Sequence, residues 1–319
     1  GQRDVASDSF AQAGIVFGAS EDAHGTAKQQ CMMSLVFATR TPNGASPGGA
    51  PEEVEEGLAL LKKSIDARQL HGNRLGVAEC ILNQGVLLTH MGDTQKGSKK
   101  LRLALDMFKE LKDKRGQAKV LLEMGHGCFN SEKGVALYEQ CLTISREIGD
   151  LVQEATCLEH LGGLQSYLGN TQPSVRSWLD ALNLRRELGH AKGLKKCLEQ
   201  LCIMYSSLED YARVSDSVEQ LLEVARQQQD LEGEAHALLL SAKCQRNLGG
   251  AHRAIETLQS CLLLCRAHAK SEQLLVRQAE CHVALSQLYY EVGMGDQGKK
   301  ENEEVQKLRK KLGKEMLRS

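Results

Sequence analysis

His126 with Cys128, and Cys281 with His282, are the pairs in this sequence that come closest to metal ligands. Neighbouring residues on a helix point about 100° apart, so Cys281 and His282 do not converge on one ion. Structural zinc takes four clustered ligands, and no second pair stands at a matching spacing. No feature aims a histidine at a cysteine, so a nucleophile pair has no support. The segment GMGDQGKK, Gly293–Lys300, is the nearest approach to a phosphate-binding loop. Lys300 stands where a Ser or Thr would hold Mg²⁺, and a helical pattern rather than a strand precedes it, so it reads as a turn. GxSxG, HExxH and the Rossmann fingerprint are absent from the sequence. The chain is therefore expected to be no enzyme and to hold neither metal nor cofactor.

The 11 cysteines are odd in number and include no CxxC. Several fall on helix faces, with Cys261 and Cys265 one turn apart, where cysteine behaves as a small buried hydrophobe. They read as free thiols in a reducing compartment. The C-terminal cluster of Lys307, Arg309, Lys310, Lys311 and Lys314 could touch acidic partners or RNA. Glu301, Glu303, Glu304 and Glu315 interleave with it or flank it, which favours a solvated capping helix.

Composition points to helices as the elements that position these residues. Aromatics are 4% and Pro numbers only 4, while Ala, Leu, Glu, Lys and Gln abound; these are helix formers, and β-branched runs are missing. Lys+Arg of 40 against Asp+Glu of 41 gives a net charge of −1, without the basic footprint of a nucleic-acid binder. No apolar run reaches about 18 residues, so no membrane span is expected, and no signal peptide is visible. The sequence lacks an initiator Met and begins close to a helical pattern, which suggests a fragment of a longer protein.

A repeat dominates the chain. In EATCLEHLGGLQSYLGNTQPSVRSWLDALNLRRELGH, Glu154–His190, Leu158, Leu161, Leu164 and Leu168 form the apolar face of a first helix. Gly169-Asn170 makes a turn, and Pro173 lies in the first turn of a second helix, where its missing N–H costs little. The punctuation returns at Met91-Gly92, Leu248-Gly249 and Val292-Gly293, and at Leu208-Glu209 with the glycine lost. First helices begin near Ala27, Ala78, Ala118, Ala155, Lys195, Ala235 and Ala279, at steps of 40, 37, 40, 40 and 44 residues from Ala78 onward. The shorter step places a three-residue deficit around Phe129–Glu132. Second helices carry a small residue (Gly57, Gly97, Gly134, Ser174, Ala254, Gly298), then a large one (Leu61, Leu101, Tyr138, Trp178, Leu258). Another small one follows (Ser64, Ala104, Cys141, Ala181, Cys261). Glycine inside a helix costs about 1 kcal/mol against Ala, so its return at one phase marks places that admit nothing larger. Val214, Val218 and Leu221 depart from the pattern.

With the small residues Gly85, Gly125, Gly162 and Ala242 inside the first helices, this pattern resembles tetratricopeptide repeats of the long, about 40-residue subclass. LTISREIGDLVQEATCLEHLGGLQSYLGN resembles the Pins/LGN-type adaptors and related cytoskeletal and ciliary repeat proteins. The resemblance implies an all-α fold, a right-handed superhelical solenoid of antiparallel helix pairs over residues 1–319. Within it, residues 1–40 would form a half-repeat plus a first helix and 41–51 a flexible Pro/Gly/Ser-rich insertion. Tandem repeats would fill 52–293, and 294–319 would form the capping helix.

The resemblance further implies a groove lined by the first helices, which receives an extended peptide or a partner helix. Carried over by place, its candidates are Leu82, Val86 and His90 in the first full pair and His126 and Asn130 in the second. Glu159 and Tyr167 follow, then Lys196 and Glu199. Lys243, Arg246 and Asn247 form a basic cluster before Gln287 and Tyr290 in the last pair. The adaptors' asparagine ladder at the ninth place is replaced here by Val86, His126, Gly163, Ile203, Lys243 and Gln287, so their ligand does not transfer. The expected function is a protein-interaction scaffold in the cytoplasm, in a cytoskeletal or ciliary setting, with other proteins as partners and no nucleic acid. The alternative is a regulatory sensor module of a larger signalling protein.

Overall fold

A computed structural model of the chain describes residues 51–128, 131–268 and 271–316. The expected helices over residues 5–17 and from Ala27, most of the 41–51 insertion, and Phe129 and Asn130 lie outside the described residues. Those described form thirteen α-helices and no strand. The first compact unit ends at Asn170 and the second begins at Thr171. The first contains α1 (Pro51–Leu70), α2 (Arg74–His90), α3 (Thr94–Glu110), α4 (Lys114–Gly127), α5 (Glu132–Glu147) and α6 (Leu151–Tyr167). The second contains α7 (Thr171–Glu187), α8 (Ala191–Ser207), α9 (Tyr211–Gln227), α10 (Leu231–Asn247), α11 (Ala251–Ala267), α12 (Glu272–Glu291) and α13 (Gly295–Met316).

Within each unit every helix packs on the next, and first helices also touch one another, α2 with α4, α4 with α6, and α10 with α12. The small-large-small stripe is the seam. Leu61, Leu101, Tyr138, Trp178 and Leu258 are all 2% exposed or less, and Ser64, Ala104, Cys141, Ala181 and Cys261 are fully covered. A Cβ on Gly125 would sit 2.5 Å from the Tyr138 ring, and one on Gly85 2.8 Å from Leu101. The irregular α9 keeps the same contact line with Val214, Val218 and Leu221 buried. The expected deficit appears as α4, with 14 residues where α2 and α6 have 17.

Helix starts differ from the sequence-based expectation. The first helices α2, α4, α6, α8 and α10 begin four residues earlier than placed, for example at Arg74 rather than Ala78 and at Leu231 rather than Ala235, and α12 begins at Glu272 rather than Ala279. The cause is local capping. At the end of α9, Gln229 adopts a left-handed φ of 54°, and the Asp230 N–H bonds back to the Ala225 carbonyl at 2.9 Å. The Asp230 carboxylate then accepts from the Gly233 N–H at 2.9 Å. One residue thus closes one helix and caps the next, which sets the sharp antiparallel reversal. Asn73, Asp93, Asp150 and Asp210 make the same capping bond, and Asp113 accepts from the Arg115 N–H instead.

Asp230 also accepts from Lys195 Nζ of α8 at 2.7 Å. Burial pushes its carboxyl up, but the Lys195 ammonium and the Gly233 N–H outweigh burial and hold it below the ordinary 3.8. A depressed folded value contributes stability above the unfolded value, lost as pH falls through the folded one. Asp230→Ala is expected to cost about 1 kcal/mol at neutral pH for the cap. In chemical denaturation the difference from the parent should narrow in acid; a constant difference down to pH 2 would refute the ionic part.

Candidate partner-binding site

The sequence-derived groove positions separate into three environments. Leu82, Leu122 and Glu159, all at the fifth place counted from Ala78, Ala118 and Ala155, are at most 9% exposed and belong to the packed interior. Leu82 packs in a cluster with Val77, Leu101 and Phe108, and Val86 lies half-buried against it. Tyr290 is 47% exposed, but its ring covers Gly298 of α13, where a Cβ would come within 2.9 Å. Its place at the helix end turns it toward the following helix rather than along the first-helix face. His90, Tyr167, Lys196 and Asn247 are exposed. The Lys196 ammonium lies 5.9 Å from the Trp178 ring centroid.

In the first unit the groove position His126 joins an aromatic group. Its ring lies 4.3 Å from that of His160 and 6.0 Å from that of Tyr138. His126 Nδ1 lies 3.2 Å from Glu123 Oε2. His126 Nε2 and the Tyr138 hydroxyl are buried without a hydrogen-bond partner. Burial, with Glu123 adding to it, pushes the Tyr138 phenol far above its usual range.

In the second unit α10 and α12 enclose a cavity of about 440 Å³ that gathers most of the remaining candidates. His236, Leu239, Lys243 and Arg246 face it from α10, and Arg277, Glu280, Ala284 and Gln287 from α12. Leu240, Ala242, Leu258 and Leu288 complete an apolar floor. His236, Leu239, Lys243 and Arg246 share one face of α10 by the 3.6-residue period, and Arg277, Glu280, Ala284 and Gln287 share one face of α12 across the gap.

Most charges on the rim are already engaged. Arg246 binds the Glu291 carboxylate through two nitrogens, Nε at 3.0 Å, and reaches Gln287 Oε1 at 3.3 Å. Arg277 donates to Glu280 at 2.9 Å. His236 Nδ1 lies 3.2 Å from Glu199 Oε1. Lys243 is exposed and pairs with none of the described residues. The basic cluster at Lys243–Asn247 thus keeps one open cation, because residues 41 and 45 positions ahead take up the guanidinium. An apolar floor beneath an unpaired ammonium can hold a hydrophobic side chain with a carboxylate beside it.

Among the described residues no group of three or more His, Cys, Asp or Glu could hold a metal ion. No helix there is long and apolar enough to cross a membrane.

No protein-family model and no curated protein sequence matches the chain. Solved structures do. A Signal Transduction ATPase with Numerous Domains carrying a tetratricopeptide repeat sensor, from Pyrococcus horikoshii, superposes with a TM-score of 0.69 at 13% identity. That match covers 88% of this chain, which spans 42% of the length of that protein. The quorum sensor NprR from B. thuringiensis matches with a TM-score of 0.54 at 14% identity, over 95% of this chain and 87% of its own. A Rap protein complexed with Competence and Sporulation Factor matches with a TM-score of 0.52 at 12% identity, over 92% and 76%. At such identities the similarity shows the fold, an all-α array of tetratricopeptide-like helix pairs.

Proposed function

We propose that the chain is a protein-interaction scaffold whose first-helix face holds an extended peptide or partner helix, anchored at the α10–α12 cavity. The observation that carries this reading is Lys243, a cation that pairs with none of the described residues, at the rim of an apolar-floored cavity. The ligand it suits pairs a bulky apolar side chain with an Asp or Glu. Burying the apolar group contributes about 25 cal/mol per Å², and the carboxylate fixes its orientation. The absence of a basic surplus speaks against nucleic acid as the partner. The Rap protein matched above carries a bound factor on a similar fold, which supports a binding role. The cytoplasmic, cytoskeletal or ciliary setting is the part of the proposal that rests on the sequence resemblance alone.

A random peptide library selected on the purified chain tests the reading. Enriched sequences should share a large apolar residue with an acidic neighbour, and Lys243→Glu should abolish that acidic preference. Enrichment of basic peptides, or of none, would refute it. A second reading, a sensor module within a larger signalling protein, is favoured by the likeness to a signalling ATPase with a repeat sensor, of whose whole length this chain spans 42%. Its mark would be a small ligand or an effector domain acting on the same cavity.

A further inference from the structure

We propose that Cys261 and Cys281 form a site of oxidative modification, at which peroxide converts two buried thiols into a disulfide that ties α11 to α12. Their sulfurs lie 3.2 Å apart, both residues are fully covered, and they stand on consecutive packed helices. A disulfide of about 2.05 Å needs the two sulfurs to close by about 1.2 Å from that separation.

The repeat shows that packing does not demand this pair. By the sequence-derived count, the Cys261 position of each second helix corresponds to the third residue of the next first helix. At α1 and α2 these are Ser64 and Cys80, 3.4 Å apart. The next junctions carry Ala104 with Val120, Ala181 with Cys197, and Leu221 with Ala237, all buried. None of these can cross-link. Cysteine stands on both sides at α11–α12 and at α5–α6, where Cys141 and Cys157 are both fully covered. Both second-helix thiols also point at the same carbonyl of the preceding first helix, Cys141 at Ala118 O (3.2 Å) and Cys261 at Ala235 O (3.4 Å).

The chemistry balances with peroxide as oxidant. Both thiols are covered, so the step runs through a transient opening of the α11–α12 seam: the Cys261 thiol gives up its proton, the thiolate attacks one peroxide oxygen, the O–O bond breaks, the leaving hydroxide takes up that proton, and a sulfenic acid and one water result. Cys281 sulfur then attacks the sulfenic sulfur. The S–S bond forms, the S–O bond breaks, and the hydroxyl leaves with the Cys281 proton as a second water. Two thiols lose two electrons in all, and one peroxide becomes two waters. Cys265 is the competing partner, fully covered one turn along α11 from Cys261. A Cys261–Cys265 bond would stay within one helix and tie nothing.

The test is peroxide treatment of the folded chain with Cys141→Ala and Cys157→Ala in place, followed by proteolysis and mass spectrometry without reductant. A Cys261 peptide joined to a Cys281 peptide, lighter by two hydrogen atoms and released by dithiothreitol, is the expected product. The oxidised chain should melt about 5–10 °C higher, since a bond closing a loop of this size constrains the unfolded chain. Cys265→Ala should keep the cross-link and Cys281→Ala should lose it. Free thiols after treatment, sulfinic or sulfonic acid at Cys261, or a Cys261–Cys265 bond would each overturn the proposal. The peptide map of the Cys265→Ala chain decides the matter even if Cys281→Ala does not fold.

Discussion

Gly134→Trp is expected to destabilise the first unit by about 3 kcal/mol or more and to lower its melting midpoint by roughly 10 °C. Even the Cβ has no room, since it would stand 2.5 Å from the Cys128 carbonyl oxygen and 2.9 Å from Leu164 Cδ2. A side chain could swing aside, but the carbonyl belongs to backbone and moves only if α4 and α5 separate. Overpacking of this kind exceeds the usual cost of one added methylene. Gly127→Ala is the matched control. Gly127 lies on neighbouring α4, is exposed, and a Cβ there meets nothing within 4 Å. That change should be neutral or stabilise by up to about 1 kcal/mol, because Ala favours the helix. Circular-dichroism melts of the two variants settle the point. A Gly134→Trp chain that melts like its parent would show that this face is not the seam between helices.

Ala284→Trp is expected to weaken binding of a peptide selected on the chain by at least about 100-fold, leaving thermal stability close to that of the parent. Ala284 is half-buried and lines the α10–α12 cavity. An indole there would occupy the space proposed for the ligand's apolar anchor, with open volume to receive it. Lys243→Glu should weaken the same peptide less, about tenfold, because an exposed ion pair contributes modestly. That loss should shrink in high salt, where the Debye length falls to about 3 Å at 1 M. Equal affinity in the parent and in Ala284→Trp, measured by calorimetry, would place the ligand elsewhere. Arg246 is the poorer choice for reversal, since Glu there would face Glu291 and break an existing pair.

The cysteines show how far one sequence position can be read. Cys261 and Cys265 are legible as a buried helical pair from their spacing alone, and both are fully covered. That Cys281, on another helix, comes within 3.2 Å of Cys261 depends on how α11 rolls against α12. Arg68 is similar. Nothing near it in the sequence marks a buried cation, yet it is 4% exposed and donates to the Gly76 carbonyl at 2.6 Å. Many helix starts were legible too, through the Asp or Asn that caps them, as at Asn73, Asp150 and Asp230; apolar periodicity alone pointed four residues too late there.

By itself the sequence determined the helix pairs, their turns and the small-large-small seam. The turns rest on interactions within one or two turns of chain, such as the left-handed residue after α6, Gly169 at φ 79°, and the bond from the Asn170 N–H to the Gln165 carbonyl, and the seam shows itself because its small and large residues return at a fixed phase. Tertiary structure alone decided which groove positions are open. Leu82 and Glu159 sink into the interior, Tyr290 folds over α13, and Glu291 occupies Arg246 from 45 residues away, leaving Lys243 as the open cation at the cavity rim. Periodicity states which residues share a helix face, but whether that face meets solvent, core or an opposite charge depends on the rotation and spacing of helices about 40 residues apart, which local pattern does not encode.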